Sequence, residues 1–309
     1  MSIKFLDGAD IHVETIIAVI YGPPNYGKTT LALSSSNPIL LDFDKGAYRS
    51  GNKAGKAIVP VSAWSDVASI AADDIQDFDT IIIDTVGTCL DFITEDIIRT
   101  NKKASVGGAL SLNGYGILKS RFREFLSRLL TMGKDVILVA HLKEDQRGDE
   151  VVERIVATGA SRDEVYQEAD IMGRISLDGR DRFITFDPTV TSYAKNVGLS
   201  DYSIPDPSES DETMSKIIRD AKRSINTRID EEEKERERVS NLIQWVNGLD
   251  GSADDFNNYI DKMIKSNAKN KDKRLLLERG KEIGLIFDDQ TNRFIEPESD
   301  IDQINMDEE

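Results

Sequence analysis

Up to about residue 187, apolar residues come in short β-branched runs separated by polar stretches. Ile16 to Tyr21, Pro38 to Leu41, Ala57 to Val61, Thr80 to Ile83 and Val136 to Ala140 are each brief and nearly continuous rather than alternating. Such runs predict strands of a mostly parallel sheet covered on both faces. The covering helices show the other period. Ile117, Leu118, Phe122, Phe125, Leu126, Leu129 and Leu130 recur at helical spacing between Tyr115 and Met132, and Trp64 to Ala72 predicts a shorter amphipathic helix. Asp170 to Leu177 and Arg182 to Phe186, joined by Asp178-Gly179-Arg180-Asp181, predict a hairpin that finishes the sheet. The expected fold class is α/β.

Beyond residue 200 the pattern changes. Asp201 to Ser210 is rich in Pro, Ser and acids and reads as a linker. Ser215 to Asn247, centred on Glu231 to Arg238, predicts a solvated helix laced by i,i+4 charge pairs. Phe256, Tyr259, Ile260, Met263 and Ile264, with Leu275 to Leu277 and Ile283 to Phe287, predict a small helical packing unit. The end is acidic and nearly free of aromatics, the composition of a disordered tail. The domain reading is therefore a core over 1–205, a linker over 206–212, a helical region over 213–287 and a tail over 288–309.

Two of the strands end in chemistry. The first enters Gly22-Pro23-Pro24-Asn25-Tyr26-Gly27-Lys28-Thr29, followed by Thr30, which fits the phosphate-loop pattern G-x-x-x-x-G-K-[ST]. A strand, a glycine-bearing turn and a helix aim successive backbone N–H groups at one anion. Lys28 would reach the β- and γ-phosphates of ATP, and the Thr29 hydroxyl would bind Mg²⁺. The isoleucine strand closes on Asp84, a carboxylate placed to hold that Mg²⁺ through water. The next residue is Thr85, not an acid, so a water-activating base must come from elsewhere. Asp44, at the end of the preceding strand Pro38 to Asp44, is the candidate, because C-terminal strand ends converge on the ligand crevice of a parallel sheet. A turn or helix-cap role for Asp44 is the alternative.

Composition narrows the setting. A net charge of −17 argues against a broad basic surface for nucleic acid and leaves only local basic loops. One cysteine excludes an internal disulfide, and with two histidines it cannot build a structural zinc site. No apolar stretch approaches the ~20 residues of a membrane span, and no early segment resembles a signal peptide.

The order of phosphate loop, strand ending Asp42-Phe43-Asp44 and strand ending Asp84-Thr85 resembles the RecA/RadA class of P-loop ATPase cores. It is most similar to the compact phage-encoded members associated with single-strand DNA annealing and recombination, AAA-type ATP-binding proteins. The resemblance runs through Gly114 to Phe122 and the strand ending in His141, and covers roughly residues 1–205. It implies a RecA-like NTPase core, DNA-stimulated ATP hydrolysis with ATP and Mg²⁺, and a ring or filament of identical chains in the cytoplasm, the host's if phage-encoded. It also implies that His141 senses the γ-phosphate. Ala194-Lys195-Asn196-Val197-Gly198 resembles the K-N-R-F-G segment whose lysine and arginine reach a neighbour's nucleotide; here Lys195 is present and Val197 replaces the arginine.

Two segments are candidate DNA loops, and the resemblance places both on a central DNA path. Lys102-Lys103 precedes Ala104 to Gly108, and a long polar stretch from Lys143 to Arg162 follows His141, with Lys143 and Arg147 as phosphate contacts. Single-stranded DNA is thus the expected partner, with a single-strand binding protein or another replication protein as a further one. A motor ATPase of a helicase or packaging complex, and a nucleotide-dependent scaffold with negligible turnover, remain the alternatives.

Overall fold

A computed structural model describes residues 11–51, 53–147, 150–157, 159–206, 212–266 and 268–297. They form two compact units that divide between Arg228 and Ile229.

The first unit begins with β1 (Ile17–Gly22), turns into α1 (Lys28–Ala32) and adds β2 (Pro38–Asp42), β3 (Ala57–Pro60) and β4 (Thr80–Asp84). Next come α2 (Val86–Thr100), a ribbon of β5 (Ser105–Val106) and β6 (Ala109–Leu110), and α3 (Leu112–Thr131). Then β7 (Asp135–Arg147) and β8 (Glu150–Ile155) form a hairpin, and α4 (Gly159–Glu168) leads to β9 (Ile171–Asp178), β10 (Asp181–Thr185) and β11 (Tyr202–Ile204).

The sheet runs β3-β2-β4-β7-β1-β9-β10-β11. From β3 to β9 it is parallel; β10 and β11 finish it antiparallel. This is the α/β class expected, with a central, mostly parallel sheet. Every residue of β1, β2 and β4 is buried, which is why their sequences are unbroken apolar runs. Leu118, Phe122, Phe125, Leu126 and Leu129 of α3 and Cys89, Leu90, Ile93 and Ile97 of α2 join the same core. Each large apolar side chain buried there contributes about 1.5–3 kcal/mol. The strand order has one consequence for chemistry. Since β7 separates β1 from β4, His141, midway along β7 and in register with Gly22, lies between the phosphate loop and Asp84.

Two expectations fail locally. Trp64 to Ala72 is not an amphipathic helix but two short 3₁₀ turns, Trp64–Asp66 and Ala72–Asp74, the second continuing beyond it. The Asp66 carboxylate accepts from the N–H groups of Ser62 and Ala63, and that of Asp74 from Ala71, so each acid ties up a turn start instead of extending a helix. The stretch from Lys143 to Arg162 is not a loop. Its first part pairs in register from Leu142↔Ile155 to Arg147↔Glu150, and its last residues lie in α4. Val152 and Ile155 are buried, giving the hairpin a packed base.

The division inside α5 (Thr213–Asn247) also differs from the boundary expected at 206–212, of which 207–211 lie outside the described residues. The second unit contains the end of α5, α6 (Ala253–Lys265), α7 (Asn270–Glu282) and a hairpin of β12 (Ile286–Asp288) and β13 (Arg293–Ile295). The hairpin corrects the tail reading, since residues 288–297 belong to this unit. Phe294 is buried, with ring centroids 5.3 Å from Phe256 and 5.1 Å from Phe287. Gly280 of α7 lets that ring approach the helix backbone, where any Cβ would collide with it. Residues 298–309 lie outside the described residues. Among the described residues, no helix is long and apolar enough to cross a membrane.

Candidate nucleotide-binding site

The phosphate loop leaves the buried end of β1 at Gly22 and reaches α1 through Gly27, whose φ of +82° strains any residue with a side chain. Lys28 is buried, and its Nζ donates to the carbonyls of Gly22 at 3.0 Å and Pro23 at 2.8 Å. Burial lowers the Lys28 pKa, against the opposing pull of the Asp84 charge. Thr29 Oγ1 donates to Asp84 Oδ2 at 2.6 Å. The two residues expected to hold Mg²⁺ are therefore side by side, although 55 positions apart in sequence. Burial pushes the Asp84 carboxyl up; the Thr29 hydrogen bond opposes this, and the charges of Asp44 and Asp42 add to it.

Asp44 and His141 meet at the strand ends. His141 is in register with Gly22, and its Nε2 shares a hydrogen bond with Asp44 Oδ2 at 3.1 Å. Asp44 Oδ1 accepts from Thr85 Oγ1 at 3.2 Å and from the Thr88 hydroxyl. Burial pushes the Asp44 carboxyl up, but the hydrogen bonds from His141, Thr88 and Thr85 and the His141 charge outweigh it. They hold the group below the usual carboxylate range. Asp42 has a different job. Its carboxylate accepts from the N–H groups of Gly46 at 2.9 Å and Ala47 at 3.0 Å. The turn-capping role weighed for Asp44 thus belongs to Asp42.

These groups open on one cavity of about 570 Å³, lined also by Pro24, Asn25 and Thr30. Gly22, Pro23 and Tyr26 of the loop are not part of its wall; Tyr26 is half-buried. Arg49, Ser50 and Arg182 line the cavity too, and sequence reasoning missed them. Ser50 Oγ lies 3.3 Å from Thr30 Oγ1, a pairing that only the folded loop creates. Arg182 arrives from β10, and nothing in its spacing from the loop announces this.

Other candidates lie elsewhere. Lys195 is tied to the opposite end of the strands: its backbone bridges Met172, which is in register with Val19, and its Nζ donates to the Ala169 carbonyl. Lys102 and Lys103 are exposed on a 3₁₀ turn before the β5–β6 ribbon, with no ion pair among the described residues. Lys143 is exposed on the β7–β8 hairpin but pairs with Asp145 at 3.1 Å. The side chain of Arg147 lies outside the described residues.

A family model described as an AAA domain matches residues 14–197, which span the phosphate loop, Asp84 and His141. The chain belongs to this AAA-domain family. Residues 14–197 are thus a P-loop ATPase domain. The chain is 26% identical over 146 residues to the SPbeta prophage-derived uncharacterized protein YorG of Bacillus subtilis (strain 168), which is 44% of each chain. The AAA-domain chain thus spans less than half the length of that relative. Two solved structures are similar over part of the fold. The RadB recombinase is 14% identical, covering 55% of this chain and 79% of its own, at a TM-score of 0.34. A KaiC-like protein of Pyrococcus horikoshii OT3 is 12% identical, covering 62% and 86%, at a TM-score of 0.37.

The donors fit the cofactors of the class. A hydroxyl and a carboxylate within 2.6 Å of each other are hard oxygen ligands suited to Mg²⁺. The glycine turn and Lys28 suit a polyphosphate.

Proposed function

We propose that this ATPase depends on Mg²⁺, couples turnover to single-stranded DNA in recombination, annealing or replication, and works as a homo-oligomer. One observation supports the coupling most. Strand β7 brings His141 to Asp44 at the cavity and continues without a break into the hairpin with β8. A change at His141 would therefore act on a single extended strand. The prophage origin of the Bacillus relative supports a phage setting, hence the host cytoplasm.

In this reading Lys28 and the backbone of residues 22–30 hold the phosphates. Thr29 directly, and Asp84 through water, hold Mg²⁺, which when bound neutralises charge on the phosphate oxygens. Asp44 orients or deprotonates the attacking water, and His141 reports the γ-phosphate. Lys195 acts across a subunit boundary; its distance from the cavity of its own chain is compatible with that. Lys102, Lys103, Lys143 and Arg147 contact DNA, with a single-strand binding protein as a further partner. A second reading, a scaffold with slow turnover, is favoured by Asp44 itself, since a carboxylate held below its usual range is a weak base.

The test is ATP turnover with and without single-stranded DNA at low and moderate salt, beside annealing of complementary oligonucleotides. DNA-stimulated turnover, abolished by Lys28→Ala, is expected. Turnover that ignores DNA, together with no annealing, would remove the DNA role and leave the scaffold reading.

A further inference from the structure

The phosphate cavity holds a cation that its motifs do not account for. Arg182 projects from β10 so that its Nη1 would lie 2.5 Å from a Cβ built on Gly27. Its Nη2 donates to the Pro205 carbonyl at 2.9 Å. One arm of the guanidinium is thus anchored on neutral backbone while the other faces the phosphate loop, in the cavity shared by Lys28, Thr29 and Asp84. Among the described residues no carboxylate pairs with Arg182. Two other half-buried arginines of the unit do have such partners, Arg174 forking onto Glu153 and Arg121 meeting Asp96 at 2.6 Å, whereas Arg128 donates to the Ala68 carbonyl and faces the Phe125 ring rather than a ligand cavity.

We propose that Arg182 binds the polyphosphate of the nucleoside triphosphate from within its own chain. This rests on the nucleotide-site reading above and adds a residue to it. The guanidinium suits the role: it stays charged at any relevant pH and presents several donors in a fixed plane, which match phosphate oxygens. The Pro205 contact pre-orients the group, so less side-chain freedom is given up when the phosphate arrives. Lys28 and Arg182 then hold the polyphosphate from two elements, the loop and the antiparallel edge of the sheet.

The experiment uses the full chain and a fluorescent ATP analogue with Mg²⁺. Arg182→Met keeps the apolar stem and removes the charge, and should weaken binding by about tenfold to a hundredfold. The loss should shrink as salt rises, because a charge contact at a partly open cavity is screened. The melting temperature without nucleotide should stay close to that of the parent. Affinity within twofold of the parent overturns the proposal. So does a loss that is equal at low and high salt, or one matched by a large fall in melting temperature, since either would make Arg182 a strut to Pro205. Lys28→Ala separates the two levels of inference. If it binds the analogue as tightly as the parent, the nucleotide sits elsewhere and both readings fall; if it loses binding, the Arg182 result stands on its own.

Discussion

His141 Nε2 lies 3.1 Å from Asp44 Oδ2, joining the middle of β7 to the turn after β2, 97 positions apart in sequence and on strands separated in the sheet by β4. The contact makes the orientation of each group depend on the other and helps hold the Asp44 carboxyl below its usual range. It also occupies one oxygen of the proposed base, while Thr85 and Thr88 occupy the second.

Asp44→Asn should therefore keep nucleotide affinity within a few-fold and lower turnover by about 10²–10⁴-fold, the range of a missing general base. His141→Ala should also retain binding, but it frees Asp44 Oδ2 and cuts the link to the hairpin. Its basal turnover should fall less than that of Asp44→Asn, and stimulation by DNA should disappear. Steady-state turnover with and without DNA measures both. Parent-like turnover in Asp44→Asn would return the base role to another residue.

The same hydrogen bonds give a pH dependence. The folded Asp44 carboxyl is held below its ordinary value, so it is ionised where the unfolded chain still binds a proton. Its contribution to stability is complete above the unfolded value of about 4 and is lost as pH falls through the lower folded value. Urea melts of the parent and Asp44→Asn should show a stability gap that narrows as pH drops below about 4. A gap that stays constant through that window would mean the surrounding donors do not favour the ionised form.

How much of this was legible follows from what each feature depends on. The phosphate loop and Asp84 were readable because a contiguous motif and an apolar strand each place their chemistry locally. The Asp42 and Asp44 roles were not separable, since two acids two positions apart share a face only while the strand continues, and β2 ends at Asp42. Trp64, Val67 and Ile70 misled because spacing by three also fits successive 3₁₀ turns, where such side chains eclipse. The β7–β8 hairpin hid in polar sequence because the outer half of β7 pairs only with β8 and need not be apolar throughout. Arg182 depended on which strand lies beside β9, a tertiary fact.

Ion pairs rank the candidate DNA contacts. Lys143 already meets Asp145, and Arg162 lies 3.6 Å from the same acid, whereas Lys102 and Lys103 are exposed beside the glycine pair Gly107 and Gly108. Replacing Lys102 and Lys103 together by alanine should weaken single-strand binding for all sequences alike. The log–log salt slope should become shallower by about 0.7 for each DNA phosphate that a lysine no longer neutralises. Lys143→Ala should have the smaller effect. An unchanged slope in the double variant would move the binding surface to the hairpin.

The acidic residues from Glu298 onward can compete with DNA phosphates for Lys102 and Lys103, keep the chain soluble, or dock on a partner protein. The β12–β13 hairpin decides where the chain must be cut to test this. Removal after Phe294 would delete Ile295, which pairs with Ile286, and Glu296, whose Oε1 accepts from the Ala253 N–H at 2.7 Å. A cut after Pro297 leaves both in place, and its melting temperature should match the parent. A cut after Asn292 removes Phe294 and its packing against Phe256 and Phe287. It should destabilise the second unit by about 3–5 kcal/mol, the cost of emptying a large aromatic site. Basal nucleotide affinity should survive both cuts, because every residue lining the phosphate cavity lies between Pro24 and Arg182. If competition operates, the Pro297 cut should raise single-strand affinity at low salt, and the gain should fade as salt rises. Equal affinity for cut and full-length chains at low salt would leave solubility or docking as the role of these acids.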